Sequence, residues 1–367
     1  MRVLGVLGRL GLALGVFVVA DLAAGALFVP QDANFRARNP WYHHGLIPDT
    51  TGRSQWGLGE AYPVHVNSLG MVDREVREVP LSSERRRVLL MGDSFTEGIG
   101  VPFETSFAGL LQERLAGEVE VLNGAVMSFS PRLERLRLEQ LLEQVGLRVD
   151  EVVLLIDISD VQDQVLYRRF VPRRESDAER ARRRAWRWVR HHSFTVSSVD
   201  TLLGAKRKAA QRERYNAEVY PPWLDYFWLD DQDPEPYRDP SFPLVRSDWT
   251  SDALFASPWT ELGVALARED VRAIVALCRK HDVELTLAVY PWPNQIRALE
   301  RECRQAFLWE TFAANNGLDF VNLFEAFLPE PDYDPEQVCA RYYIEGDVHW
   351  NAAGHRVVAD ALEPHLR

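Results

Sequence analysis

The chain opens on an apolar run at 10–29, broken only by Asp21 and preceded by Arg2 and Arg9. About 20 apolar residues suffice for one helix to cross a bilayer. The two arginines ahead of the run predict a cytoplasmic N-terminus and an exported remainder. Ala24-Gly25-Ala26 has the small-x-small shape of a cleavage site, so a cleaved signal is the competing reading and a buried globular helix a third. The run continues through Leu27, Phe28 and Val29, which favours an uncleaved anchor. Asp21 is costly facing lipid, so it predicts a partner helix, such as one of a membrane partner protein, or a position nearer the outer surface.

Beyond a stretch rich in proline and aromatics, continuous apolar segments alternate with helically spaced ones. Strands are predicted at 87–91, 119–122, 152–156, 285–290 and 320–323, and helices at 107–115, 133–145, 264–280, 301–314 and 352–362. Fully apolar strands alternating with helices define an α/β fold, a parallel sheet covered on both faces. The organisation expected is an anchor or signal at 1–30, an extracytoplasmic lead-in at 31–85, and the α/β domain at 86–367. An insertion at about 161–250 breaks the rhythm. Its first part carries Arg173, Arg174, Arg180, Arg182, Arg183, Arg184, Arg187 and Arg190 with Trp186 and Trp188 between them. That pattern suits either a helix resting on an anionic membrane surface or a solvated helix laced with Glu175, Asp177 and Glu179. Its later part, 215–243, reads as a lid, a binding surface or an irregular cap.

Composition adds exclusions. With 46% hydrophobic residues the 367-residue chain is no disordered polymer, and a net charge of −12 excludes nucleic-acid binding by the chain as a whole. Three cysteines form no disulfide framework and no zinc pattern, so no metal or cofactor is expected. Cys278 reads as a buried core thiol, whereas Cys303 and Cys339 are candidates to pair in an oxidising compartment.

Candidate chemistry sits at strand ends. Gly92-Asp93-Ser94 follows the first predicted strand of the domain, which puts Ser94 at the carboxyl edge of the sheet, where open α/β folds bind ligands. A serine hydroxyl needs a base held by a third group. Gly346-Asp347-Val348-His349 precedes the last helix and can return to the same edge, His349 as base and Asp347 as its orienter, with Glu345 as second choice. Alone, a loop serine after a strand is more often a helix cap and a lone histidine a surface residue. Trp292, Asn294 and Gln295, after the fourth strand of that domain, are candidate sugar contacts or parts of a rigid turn. Asp157, Asp160 and Asp163 read as a capping or solvated cluster, with cation binding or orientation of the catalytic loop as alternatives. His43 and His44 are poor candidates for a metal pair, since adjacent loop histidines do not easily share an ion.

These blocks resemble the SGNH (GDSL-type) hydrolase family from about Asn67 to the C-terminus, leaving out the insertion. The second block is identified at Val121-Leu122-Asn123-Gly124-Ala125-Val126, the third at Ile158-Ser159-Asp160, and the fourth at Asp347 and His349 followed by Asn351-Ala352-Ala353-Gly354. Asn67-Ser68-Leu69-Gly70 and the segment 100–105 look like the membrane-anchored exported members, with similarity to the alginate O-acetylation proteins. The resemblance implies Ser94 as nucleophile, His349 as base, and an oxyanion hole from the Ser94 N–H, a backbone N–H of Gly124 or Ala125, and a side chain from the third block. Two departures stand out: the family's second-block glycine falls on either Gly124 or Ala125, and Ser159 replaces the family's asparagine; the last block reads Asp-x-His rather than Asp-x-x-His, a spacing the polysaccharide acetylation relatives share. The implied activity is ester hydrolysis or O-acyl transfer through an acyl-serine, on an acyl-ester substrate such as an O-acetylated envelope polysaccharide. The alternative is a weak or inactive SGNH-fold protein that binds glycan or partner proteins. The implied location is the cytoplasmic membrane with the domain outside.

Overall fold

The computed structural model describes residues 2–29, 35–56, 59–214, 235–236, 239, 242, 246–251, 257–299, 303–328 and 332–367. It divides into two units, one formed by Met1–Ala33 with Arg173–Asp230 and the other by Asn34–Pro172 with Asp231–Arg367.

The second unit is an α/β sheet domain. A ribbon of β1 (Arg36–Asn39) and β2 (His43–Leu46) precedes β3 (Thr50–Ser54), β4 (Tyr62–Val66), β5 (Val72–Asp73), β6 (Arg86–Met91), β7 (Val119–Asn123), β8 (Glu151–Ile156), β9 (Glu284–Val289) and β10 (Asp319–Asn322). The eight-stranded sheet has the order β10-β9-β8-β6-β7-β5-β4-β3. The five strands from β10 to β7 are parallel, and β5, β4 and β3 extend them antiparallel. Within the parallel part the first strand, β6, lies between the second and the third. This is the doubly wound order whose switch point opens a crevice at the strand carboxyl ends.

The helices are α1 (Arg2–Phe28), α2 (Ser94–Glu97), α3 (Phe107–Arg114), α4 (Pro131–Glu139), α5 (Asp160–Tyr167), α6 (Asp177–His192) and α7 (Phe194–Arg214). They continue with α8 (Asp248–Ser251), α9 (Pro258–Lys280), α10 (Pro293–Arg297), α11 (Arg304–Asn316), α12 (Phe324–Phe327), α13 (Pro335–Tyr342) and α14 (Ala352–Leu366). Side-chain alternation along the strands builds two cores. Val88, Leu90, Val153 and Leu155 pack with Leu111 of α3 and Val358 and Leu362 of α14. Leu89, Met91, Val152 and Leu154 face the other way, onto Val271 and Ile274 of α9 and Trp309 of α11. Each fully buried aliphatic side chain contributes about 1.5–3 kcal/mol relative to exposure. At the other end of β6, the buried Arg87 guanidinium donates to Glu120 Oε2 from Nε at 3.0 Å and Nη2 at 2.8 Å. Arg87 and Glu120 are register partners on β6 and β7, so this ion pair helps fix the pairing.

Several boundaries differ from the sequence reading. Three strands, β3 to β5, arise from the 31–85 stretch and complete the sheet. All eight residues of α5 are buried in the sheet domain, so the part of the insertion that forms a separate unit starts only at Arg173. Helix α9 begins at Pro258, capped by Ser257 Oγ, earlier than expected because its first turn lacks the apolar spacing that reveals the rest. The predicted helix 133–145 is α4 continued by one π-helical segment, Gln140–Val145. The proposed lid at 215–243 lies almost wholly outside the described residues. Cys303 and Cys339 are not joined by a disulfide. Instead Cys303 Sγ caps α11 by accepting from Ala306 N, and Cys339 Sγ donates to Pro293 O. Cys278 is buried as expected, which pushes its thiol up to about 12.

In the first unit, α1 carries a 21-residue apolar stretch, Gly8–Phe28, long enough to cross a membrane or to serve as a signal sequence. Its partners there are α6 and α7.

Candidate active site

Strand β6 ends at Gly92, whose φ of +156° and contacts exclude a side chain: a Cβ there would lie 2.3 Å from Thr96 Oγ1. The chain then enters α2, capped by Asp93 Oδ1, which accepts from Phe95 N at 3.0 Å. Ser94 is the first residue of this turn and, unlike its buried neighbours Asp93 and Phe95, it is partly exposed. Its N–H makes no hydrogen bond among the described residues, as expected for a helical first turn.

The C-terminal segment meets it across 255 positions of sequence. His349 Nε2 lies 2.8 Å from Ser94 Oγ. The other ring nitrogen, Nδ1, lies 2.5 Å from Asp347 Oδ1, which also accepts from the His349 N–H at 2.9 Å. The Asp-x-His spacing thus lets the carboxylate fold back onto both the ring and the backbone of the histidine. Burial alone would raise the Asp347 carboxyl, but the hydrogen bonds and charge of His349, with the Trp56 indole, bring it to about 2. Glu345, the alternative orienter, is exposed and not in this chain of contacts. The His349 ring lies against Phe95, centroids 4.8 Å apart, and against the edge of Trp56 at 5.1 Å.

Trp56, just past β3, escaped the sequence reading. Its Nε1 donates to Asp347 Oδ2 at 2.8 Å, holding the second carboxylate oxygen. No local pattern marks it, because the contact spans 291 positions.

The oxyanion-hole expectations fare unevenly. The Gly124 N–H donates to Leu90 O at 2.9 Å, extending the sheet, and the Ala125 N–H donates to Asn123 Oδ1 at 3.2 Å. Both backbone donors are therefore engaged, which corrects the expectation placed on them. Further along the same loop, Ser128 has a left-handed φ of +61° and an N–H without a partner among the described residues. The loop is fixed by the Met127 N–H donating to Glu97 Oε2 at 2.7 Å and by His44 Nε2 at 2.8 Å from Met127 O. Arg36 in turn pairs with Glu97. The 36–44 stretch thus braces the loop after β7. Ser159, at the end of β8, is buried; its N–H donates to Asp157 Oδ1 at 2.5 Å and its Oγ bonds nothing among the described residues.

His43 and His44 are buried, Nδ1 to Nδ1 at 2.7 Å. Burial lowers His44 to about 4 and holds His43 well below the usual imidazole value. The carbonyl of Met127 requires the His44 Nε2–H tautomer, so its Nδ1 accepts from the His43 Nδ1–H. The pair is a structural clasp.

The proposed sugar contacts are mostly turned inward. Trp292 is buried, with Nε1 donating to Asp157 Oδ2 at 2.8 Å. Gln295 Oε1 accepts from Trp292 N at 2.9 Å and its amide reaches Gln305 Oε1, so both cap α10 and fill the core. Asn294 is exposed and donates to Ser247 Oγ at 3.1 Å.

The acidic cluster is neither solvated nor grouped for a metal among the described residues. Asp157 accepts from Ser159, Tyr290 and Trp292. Asp163 pairs with Arg246 at 2.9 Å, yet burial still raises it to about 6. Burial, then the charge of Asp157, holds Asp93 well above the usual carboxyl range. Burial, then neighbouring acids, does the same for Glu134 and Asp160. Glu134 is fully buried with neither oxygen hydrogen-bonded among the described residues, the signature of a carboxyl that stays protonated.

No protein-family model and no curated protein matches the sequence. Among solved structures, the chain is similar to a GDSL-like lipase from Bacteroides thetaiotaomicron (10% identity, 78% of this chain and 91% of that one, TM-score 0.39). It is also similar to the lipase/acylhydrolase from Enterococcus faecalis (12%, 77% and 95%, 0.38). A third is a catalytic mutant of an acetylxylan esterase from Geobacillus stearothermophilus (12%, 78% and 96%, 0.39).

Proposed function

We propose that this chain is a serine-dependent acyl-ester hydrolase or O-acyltransferase of the SGNH type, working outside the cytoplasmic membrane from a single N-terminal helix. One observation carries the reading. A partly exposed serine at the switch point of a parallel sheet meets a histidine nitrogen at 2.8 Å, and the other nitrogen of that ring meets a carboxylate at 2.5 Å.

The arrangement supports a two-step reaction. Ser94 Oγ attacks the acyl carbonyl as His349 Nε2 takes its proton, and Asp347 stabilises the imidazolium. The Ser94 N–H, the Ser128 N–H and the Ser159 hydroxyl are the unengaged donors for the tetrahedral oxyanion. His349 then returns the proton to the departing alkoxide, leaving acyl-Ser94. Water, or an acceptor hydroxyl, attacks that ester while His349 takes its proton, and the second collapse restores Ser94. An O-acetylated envelope glycan is the proposed substrate class, since a retained anchor would keep the site beside exported polysaccharide. Release of acetate from acetylated glycan, against release of fatty acid from long-chain esters, tests the substrate class. Activity on a short aryl ester that falls by about 10⁶-fold in Ser94→Ala tests the reaction; equal activity in that variant would refute it.

A further inference from the structure

The described part of the first unit contains only helices, and they are organised around the C-terminal turns of α1. Gly25 of α1 is buried under the α6–α7 corner: a Cβ there would lie 1.8 Å from His192 O and 2.7 Å from its carbonyl carbon. Asp21 Oδ1, one turn earlier, accepts from the Thr195 N–H at 2.8 Å, placing a carboxylate at the N-terminus of α7. Phe28 meets Phe194 edge to face at 6.0 Å. The one acid of the apolar stretch is therefore spent on this chain's own helix, and Ala24-Gly25-Ala26 lies at that contact rather than on a free strand for cleavage. These contacts tie the α6–α7 corner to the last two turns of a membrane-length helix, the depth of the membrane–water boundary.

Helix α6 is strongly two-faced. At 100° per residue, Ala178, Ala181, Ala185 and Val189 share one side, bordered by Trp188 on one flank and Trp186 on the other. Arg180, Arg183, Arg184, Arg187 and Arg190 occupy the opposite side, and Arg182 and the terminal His192 interrupt the apolar arc. None of its residues is buried; Trp186 is 56% exposed and Trp188 54%. Some arginines have acids, Arg183 with Glu175 and Arg190 with Asp200, and the charge of Glu175 also acts on Arg187, but Arg182 and Arg184 make no ion pair among the described residues. A solvated helix has no use for an exposed alanine face rimmed by tryptophans. Lying in an interface, the same helix buries that face at headgroup depth and lays its arginines on phosphate.

We infer that α6 is an interfacial helix, and that its occupant is the anionic phospholipid surface of the membrane that α1 spans. The inference rests on reading α1 as a retained span. Carbonate extraction tests that separately, since a chain released by carbonate would overturn the anchor reading and, with it, the α6 inference.

The experiment uses the full chain reconstituted into vesicles of phosphatidylcholine, with or without phosphatidylglycerol, containing lipids brominated near the headgroup. Tryptophan quenching is compared between the native chain and Trp186→Phe/Trp188→Phe, so that the difference reports these two indoles. The difference is expected to be large with phosphatidylglycerol and small without it. Each of the changes Arg182→Gln, Arg184→Gln and Arg187→Gln is expected to shift the docked population about fivefold toward release. Circular dichroism and unchanged hydrolysis of a short soluble ester show that these variants fold. Equal quenching differences in both vesicles would overturn the anionic-lipid assignment, and no difference in either would overturn the interfacial helix.

Discussion

The Trp56 indole N–H donates to Asp347 Oδ2 at 2.8 Å while Asp347 Oδ1 faces His349 Nδ1 at 2.5 Å, so each oxygen of one carboxylate has a separate task. The segment just past the lead-in strand β3 thereby reaches the proposed relay as well as completing the sheet.

Trp56→Phe keeps a ring of similar bulk and removes that donor. A hydrogen bond to a charged group is worth about 1.5–3 kcal/mol. We therefore expect kcat to fall by roughly one to two orders of magnitude with KM nearly unchanged. Steady-state kinetics on a short aryl ester check this, and an unchanged kcat would remove Trp56 from the relay.

Asp347→Asn should lower kcat by about 10⁴-fold, because the ring loses its orientation and its counter-charge. Glu345→Gln should leave kcat alone. Because Asp347 has its carboxyl at about 2, it stays ionised through the acidic range in which esterases are assayed, and its own titration leaves no limb there. A pair of variants with the opposite ranking would move the orienting role to Glu345.

Ser159 is the point where the site departs most from the resembled family. Its free Oγ predicts that Ser159→Ala loses about 10²–10³-fold in kcat without losing stability. Parallel kinetics and thermal unfolding separate the two effects. A kcat within about twofold of the parent would assign the oxyanion to backbone donors alone.

Glu134 offers a pH test of the buried acids. Its folded-state carboxyl is held well above 4.5, mainly by burial and then by the charge of Asp93. The folded chain therefore binds a proton that the unfolded chain releases, and stability declines as pH rises above 4.5. Glu134→Gln removes that dependence, so its melting temperature relative to the parent should climb with pH. A difference that shrank as pH rose would contradict a protonated Glu134.

Much of this was legible in the sequence. The strands of the parallel sheet are continuous apolar runs because both faces are buried, and the helices between them keep helical spacing. Ser94, Asp347 and His349 stand out because each lies at a strand or helix boundary that the periodicity marks. What stayed hidden depends on long-range pairing. The strands β3 to β5 are short, polar on one side and joined at an antiparallel edge, so they carry no continuous apolar signal. Trp292 and Gln295 looked like surface contacts because a loop tryptophan and an amide read as exposed. Burial against Asp157 and Gln305 is a property of the folded edge. Gly124 read as an oxyanion donor, but its N–H completes a rung with Leu90, which only register reveals.

The central claim is that Ser94 is an activated nucleophile, and fluorophosphonate labelling tests it most directly. The native chain should take up one label on Ser94, found by peptide mass mapping, with none in Ser94→Ala and severely slowed labelling in His349→Ala. Failure of a folded native chain to label, or labelling that persists in Ser94→Ala, would contradict it.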